Sequence, residues 1–179
     1  MKKYKDLDAN KLRKILHYDA VTGIFTWLER GTITFDRRFA GKRAGNIQID
    51  TKGYKSRNIG YGGKLYKEHR LAMLYMNGCL PDMLVDHINR DATDNRFCNL
   101  RMTTISGNHK NVTMLKNNTS GATGVVWDKE SNRWRAAYKV DGKNKHIGRF
   151  NTIAEASRAV MSARAGDGFH LGHGTPICP

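Results

Sequence analysis

Acidic residues are scarce in this chain: sixteen Asp and Glu stand against thirty-one Lys and Arg, a formal net charge of +15 over 179 residues with an isoelectric point near 10.0. Such a field repels cationic ligands and favours polyanions, nucleic acid first. Cysteine is scarce too. Cys79, Cys98 and Cys178 are odd in number and lack any CxxC spacing, which argues against a disulfide framework and a cysteine-held structural zinc. No run approaches the roughly 20 apolar residues of a membrane-spanning helix, and no apolar helix face beside a basic cluster offers a membrane-surface anchor. The opening MKKYKDLDANKLRK has no apolar stretch after its lysines, so a secretory leader is not expected. The expectation is a reducing, cytoplasmic setting.

The apolar pattern is broken into short pieces. Asp6 or Asp8 is placed to cap a helix whose Leu12, Ile15 and Leu16 share a face. Residues 18–27, YDAVTGIFTW, read as a hairpin turning at Thr22-Gly23. Residues 29–45 are polar and basic and read as a loop. NIQID, YKSRNIG and KLYK, separated by glycine turns, form a small antiparallel sheet, and EHRLAMLYMN is a helix stopped by Gly78 and Pro81. MLVDHI and NLRMTTI are two strands around a polar loop, and Ser106 is positioned to cap a helix. Lys116 to Gly121 reads as a linker. TGVVWD, RWRAAYKV and KHIGRF then make three strands, followed by a helix with Ile153, Ala156, Val160 and Ala163 on one face and a loose glycine-rich tail. The fold class is α+β.

The chemistry concentrates in VDHINRDATDNRFCNL, Val85 to Leu100. Mg²⁺ takes oxygen ligands and keeps several waters, so one carboxylate and one amide suffice beside a substrate phosphate. Asp86 supplies the carboxylate and Asn108, twenty-two positions on, the amide. His87 is next to Asp86 and suited to accept a proton from water. Asn99 is placed to bridge the polar loop and so fix His87. Asp91 and Asp94 read as turn formers, His69 as a packed histidine, and Phe25 and Trp27 as hairpin core.

Asp86-His87, Asp94-Asn95, Asn99-Leu100-Arg101, Ser106 and Asn108 together resemble the HNH nucleases with their ββα-metal motif, in the form found in phage and intron homing endonucleases. The resemblance spans Glu68 to Asn111. It implies that His87 is the general base, that Asp86 and Asn108 bind one divalent ion, Mg²⁺ or another such as Mn²⁺, and that Asn99 orients His87. His109 is the second candidate for the helix ligand. The upstream Glu-His-Arg resembles the start of the helix before the motif, which makes Arg70 a candidate for DNA contact, and Arg101 of the Asn-Leu-Arg run is another. The cysteines that hold zinc in some relatives are missing here.

Residues 119–165 resemble the APETALA/ethylene-response-factor DNA-binding domain, through Gly124-Val125, Trp127, Arg133-Trp134-Arg135-Ala136, Gly148-Arg149-Phe150 and the Ala-rich helix. The resemblance implies a three-stranded sheet in the major groove, with Trp127, Arg133, Arg135, Lys145 and Arg149 as contact candidates. Strand alternation puts Trp134 on the other face from Arg133 and Arg135, as core. Nine basic residues between Lys110 and Arg149 oppose only Asp128, Glu130 and Asp141.

The organisation expected is a DNA-contacting sheet region over 1–67, a nuclease motif over 68–115, a linker over 116–121, a DNA-binding domain over 122–167 and a tail over 168–179. The expected function is metal-dependent hydrolysis of phosphodiester bonds in double-stranded DNA, without a membrane or an obligate protein partner. A non-catalytic DNA-binding regulator is the first alternative, and an RNA-binding module, lacking any RNP-like or GXXG pattern, the second.

Overall fold

The computed structural model describes residues 7–51, 53–112, 114–115, 117–170 and 173–174. Asp6, Lys116 and Cys178, which entered the reading above, lie outside them. The chain folds as two compact units that meet in sequence at Thr103 and Thr104, and the fold is a mixed α+β one built from small antiparallel sheets.

In the first unit, α1 (Ala9–Ile15) is capped by Asp8, whose carboxylate accepts from Lys11 N–H at 2.7 Å. The helix stops one residue earlier than its apolar spacing implies. Leu16 opens the strand β1 (Leu16–Asp19), which pairs with β2 (Ile24–Trp27). The turn holds because Asp19 accepts from Val21 N–H and the Thr22 hydroxyl, and Gly23 takes φ of +72°.

Residues 29–45 are not all loop. Ile33–Phe39 form a short helix, α2. Asp36 anchors it by accepting from Arg30 N–H, and Phe35 packs on Trp27 and Phe39. The Arg30 guanidinium lies over the rings of Trp27, Phe35 and Tyr61, at 4.6, 4.0 and 5.2 Å. This aromatic cluster, drawn from three segments, supports a helix too short to announce itself.

β3 (Asn46–Ile49), β4 (Lys55–Tyr61) and β5 (Lys64–Lys67) form a meander, and α3 (Glu68–Asn77) follows directly, ending on left-handed Gly78. β6 (Leu84–His87) pairs with β7 (Leu100–Thr103), Asp86 opposite Arg101 and His87 opposite Leu100. A single 3₁₀ turn, Phe97–Asn99, leads into β7. One core runs through this unit: Leu12, Leu16, Phe25, Ile59, Tyr66 and Leu71 are all nearly or fully buried. It ties α1, the hairpin, the meander and α3 together.

In the second unit, α4 (Ile105–His109) is capped by Thr104, whose hydroxyl accepts from Gly107 N–H at 3.0 Å. Ser106, the expected cap, instead donates to Asp141. β8 (Val125–Asp128), β9 (Arg133–Val140) and β10 (Lys143–Phe150) form an antiparallel sheet with β9 in the centre. α5 (Ile153–Gly166) starts with a Thr152/Glu155 capping box and packs on one face of the sheet around Val125, Ala136, Tyr138, Ala156 and Val160. The described part of the tail is tied down: His170 N–H donates to the Lys110 carbonyl and Gly174 N–H to that of Val112.

Candidate nuclease centre and nucleic-acid interface

His87 ends β6 and is 5% exposed. A strand-end position turns its ring away from the neighbouring Asp86 and into the first unit. There Nε2 lies 3.0 Å from Asn95 Oδ1, and Asn95 Nδ2 donates to Glu68 Oε2 at 2.6 Å. Glu68, the first residue of α3, is fully buried, and its Oε2 is 3.5 Å from the Arg43 guanidinium. Burial raises the Glu68 carboxyl above its ordinary range, while Arg43 and the Asn95 bond pull it back down. The ring of His69 meets that of His87 edge-on, with centroids 5.1 Å apart. Burial, with help from the neighbouring His87, drives His69 down to about 3, so His69 is a neutral wall of the site.

The loop between the two strands is held by its own polar groups. Asn99 donates to the Asn89 side chain at 2.9 Å and to the Asp94 carbonyl at 2.8 Å, and its Oδ1 accepts from Asn89 N–H. Ile88 N–H bonds the Asn99 carbonyl. Asn99 thus fixes the backbone that leaves His87, and the amide that touches the imidazole is that of Asn95. Asp91 accepts from Thr93, and Asp94 pairs with Arg96 at 2.6 Å. Those Arg96 hydrogen bonds hold the Asp94 carboxyl below its usual range.

The N-terminal hairpin clamps this loop from outside. The Tyr18 hydroxyl donates to the Asn95 carbonyl at 2.7 Å, and Phe97 N–H bonds the Ala20 carbonyl. Gly23 presses so closely that a Cβ there would sit 2.3 Å from Arg96 N and 2.4 Å from the Asn95 carbonyl carbon. Neither Glu68, Asn95, Tyr18 nor Gly23 stands among the site residues expected from sequence. Asp94-Asn95 and Glu68-His69-Arg70 stand out in the sequence, but the partners that matter here lie 27 and 77 positions away.

Asp86 is mostly buried, and its Oδ2 accepts from both Nε and Nη2 of Arg101, at 3.0 and 2.8 Å. Arg101, a DNA-contact candidate, therefore neutralises the proposed ligand. Arg70 donates to the carbonyls of Pro81 and Met83 and so anchors the segment before β6. Asn108 and His109 belong to α4 in the second unit. Among the described residues no group of three or more His, Cys, Asp or Glu is gathered as a metal cluster. Asp86, the proposed donor of the first unit, offers a carboxylate oxygen, which suits a hard, water-retaining cation such as Mg²⁺ better than zinc.

In the second unit the register sorts the contact candidates. Arg133 pairs opposite Asp128, Arg135 opposite both Val126 and Arg149. These share the sheet face away from α5, together with exposed Lys139 and His146, around a shallow depression of about 380 Å³. Trp127 pairs opposite Trp134 and Lys145 opposite Tyr138, so both lie on the α5 side. Trp134 packs against the core as expected. Lys145 bonds Asp167 at 2.9 Å. Arg149 bonds Asp128 at 2.7 Å and is the main reason that the Asp128 carboxyl drops to about 2. Lys139 and His146 are not among the contacts expected from sequence, although both sit on alternating strand positions of a basic sheet.

Residues 66–110 match the model of an HNH endonuclease family. The match takes in α3, the β6–β7 pair with its loop, and α4. Protein 3.8 of Escherichia phage T7 is 35% identical over 72 residues, 40% of this chain and 60% of that protein. A solved structure described as DNA binding and cleavage by the HNH homing endonuclease I-HmuI is 24% identical, covering 54% of this chain and 51% of its own, with a TM-score of 0.37. The chain thus spans about 60% of the phage protein and about half of the second, under two thirds of either.

Proposed function

We propose that this protein is a divalent-metal-dependent DNA endonuclease of the HNH homing type, acting on double-stranded DNA. The observation that carries the reading is a buried imidazole, His87, oriented by a side-chain amide and directly following a mostly buried carboxylate, Asp86, in the chain, inside the segment that matches the HNH endonucleases. In this reading His87 takes a proton from the attacking water as phosphodiester hydrolysis begins, leaving 5′-phosphate and 3′-hydroxyl ends. Asp86 would contribute a carboxylate to the ion, Mg²⁺ or Mn²⁺, which when bound supplies charge stabilisation at the scissile phosphate and the leaving 3′ oxygen. Arg101 leaves Asp86 for a DNA phosphate as substrate arrives, since a guanidinium matches either partner.

The second unit supplies affinity and sequence contacts in the manner of an APETALA-type sheet. Arg133, Arg135 and Arg149 lie on one open face, where phosphate contacts position the duplex and base contacts specify it. The alternative is a DNA-binding regulator whose nuclease motif is silent, and the Asp86–Arg101 ion pair is the observation that favours it. One experiment separates the two. Supercoiled plasmid is incubated with the protein in Mg²⁺ or EDTA, beside His87→Ala. The nuclease reading predicts nicked or linear product only for the unaltered protein with metal. Absence of cleavage in every lane, with DNA still bound, selects the regulator.

A further inference from the structure

The polar chain behind His87 has a direction. Glu68 is buried among α3, β4 and the segment before β3, and Arg43 stands 3.5 Å away as its counter-charge. Its second oxygen, Oε1, is buried with no hydrogen-bond partner, held where a Cβ on Gly45 would come within 2.9 Å. An ionised carboxylate only accepts hydrogen bonds. Asn95 must therefore turn its NH₂ toward Glu68 and its carbonyl toward His87. A carbonyl only accepts, so the His87 nitrogen facing it, Nε2, must carry a proton. A neutral imidazole with Nε2–H has its lone pair on Nδ1.

We propose that Glu68 and Asn95 are positioning residues that hold His87 as the Nε2-protonated tautomer, so that Nδ1 is the basic nitrogen. The consequence for catalysis rests on the nuclease reading above; the tautomer itself does not. When Nδ1 gains a proton, the imidazolium keeps its Nε2–H bond to Asn95, and the amide dipole points its positive end at the Glu68 charge. With the amide reversed, NH₂ would face Nε2, the imidazole proton would move to Nδ1, and the base would be lost. The hairpin fixes Asn95 in place: Tyr18 holds its carbonyl, and Gly23 lies against its backbone. Neither positioning residue touches substrate, so their effect is transmitted through the ring of His87 alone.

The test is a long-range ¹H–¹⁵N correlation spectrum of the full chain labelled at histidine, recorded at neutral pH without DNA or metal. His87 is expected to show a protonated-type Nε2 and an unprotonated-type Nδ1. In Glu68→Leu and Asn95→Ala this preference is expected to vanish, and plasmid nicking to fall about 10- to 100-fold while DNA affinity holds. Glu68→Gln, which keeps an acceptor for Asn95, is expected to recover most of the rate lost in Glu68→Leu and to restore the tautomer. A proton on Nδ1 in the unaltered protein overturns the proposal, and so does undiminished nicking by Glu68→Leu. Should Glu68→Leu not fold, the unaltered spectrum and Glu68→Gln still decide. Should the unaltered protein not cut at all, the nuclease reading falls, and the spectrum alone judges the tautomer.

Discussion

The loop between β6 and β7 and the open face of the β8–β10 sheet use polar residues in opposite ways. In the loop, His87, Asn95 and Asn99 are withdrawn from water, bonded to one another or to backbone, and gripped by a hairpin from elsewhere in the chain. On the sheet, Arg133, Arg135 and Lys139 stand exposed on one side of a regular ladder. Buried polar groups are costly when unpaired and rigid when paired, which suits chemistry that tolerates little misplacement. Exposed cations are individually weak and additive, which suits holding a polyanion. The difference teaches that damage in the first region should abolish a rate, whereas damage in the second should scale an affinity.

The largest break is expected at the imidazole. His87→Ala removes the base and should cut the cleavage rate by about 10²- to 10⁴-fold, read by plasmid nicking. Next comes Gly23→Ala. Its Cβ would collide with the backbone of Asn95 and Arg96 at a left-handed position, so the first unit should lose roughly 2 kcal/mol or more. Thermal denaturation measures that loss, and nicking should fall with it although residue 23 is far from the imidazole in sequence. Smaller and different in kind is the effect of Arg133→Ala or Arg135→Ala. Each should weaken DNA binding and, if it meets a phosphate, lower the slope of log affinity against log salt by about 1, with the rate at saturating protein retained.

An effect of another kind sharpens the contrast through pH. His69 titrates near 3 when folded against 6.5 for the free side chain. Below about pH 6.5 the unfolded chain takes up a proton that the folded one refuses until about pH 3. The first unit should therefore lose stability as pH falls through that window, at up to about 1.4 kcal/mol per pH unit. His69→Phe should flatten the dependence. In the second unit Asp128 acts at lower pH. Its folded value of about 2 lies below 3.8, so its contribution is present above pH 3.8 and is lost as pH falls toward 2, a step that Asp128→Asn should remove.

Much of this was readable along the chain. Period-two alternation and glycine turns located the meander and the three-stranded sheet, and the Asp86-His87 step at a strand end marks the candidate centre. What escaped depends on distant partners or on a local irregularity. α2 exists because Phe35 finds Trp27 and Arg30, not because seven residues favour a helix. Thr104 and Ser106 are both good caps, and only the geometry at the end of β7 chooses between them. Lys145 shows the second kind of failure. Plain alternation puts it on the same face as Arg149, but the register slips between His146 and Gly148, and one inserted residue moves Lys145 to the helix side. Glu68 and Asn95 are the plainest case, since nothing local says that a helix-start carboxylate and a loop amide share a hydrogen bond.

The most direct test measures cutting and holding on the same DNA. Supercoiled plasmid with Mg²⁺ is followed for both binding and nicking by the unaltered protein, His87→Ala and the Arg133→Ala/Arg135→Ala pair. A His87→Ala protein that binds normally and does not nick, beside a double variant that binds weakly yet nicks normally once bound, is the predicted result. Nicking by His87→Ala at the unaltered rate would contradict it.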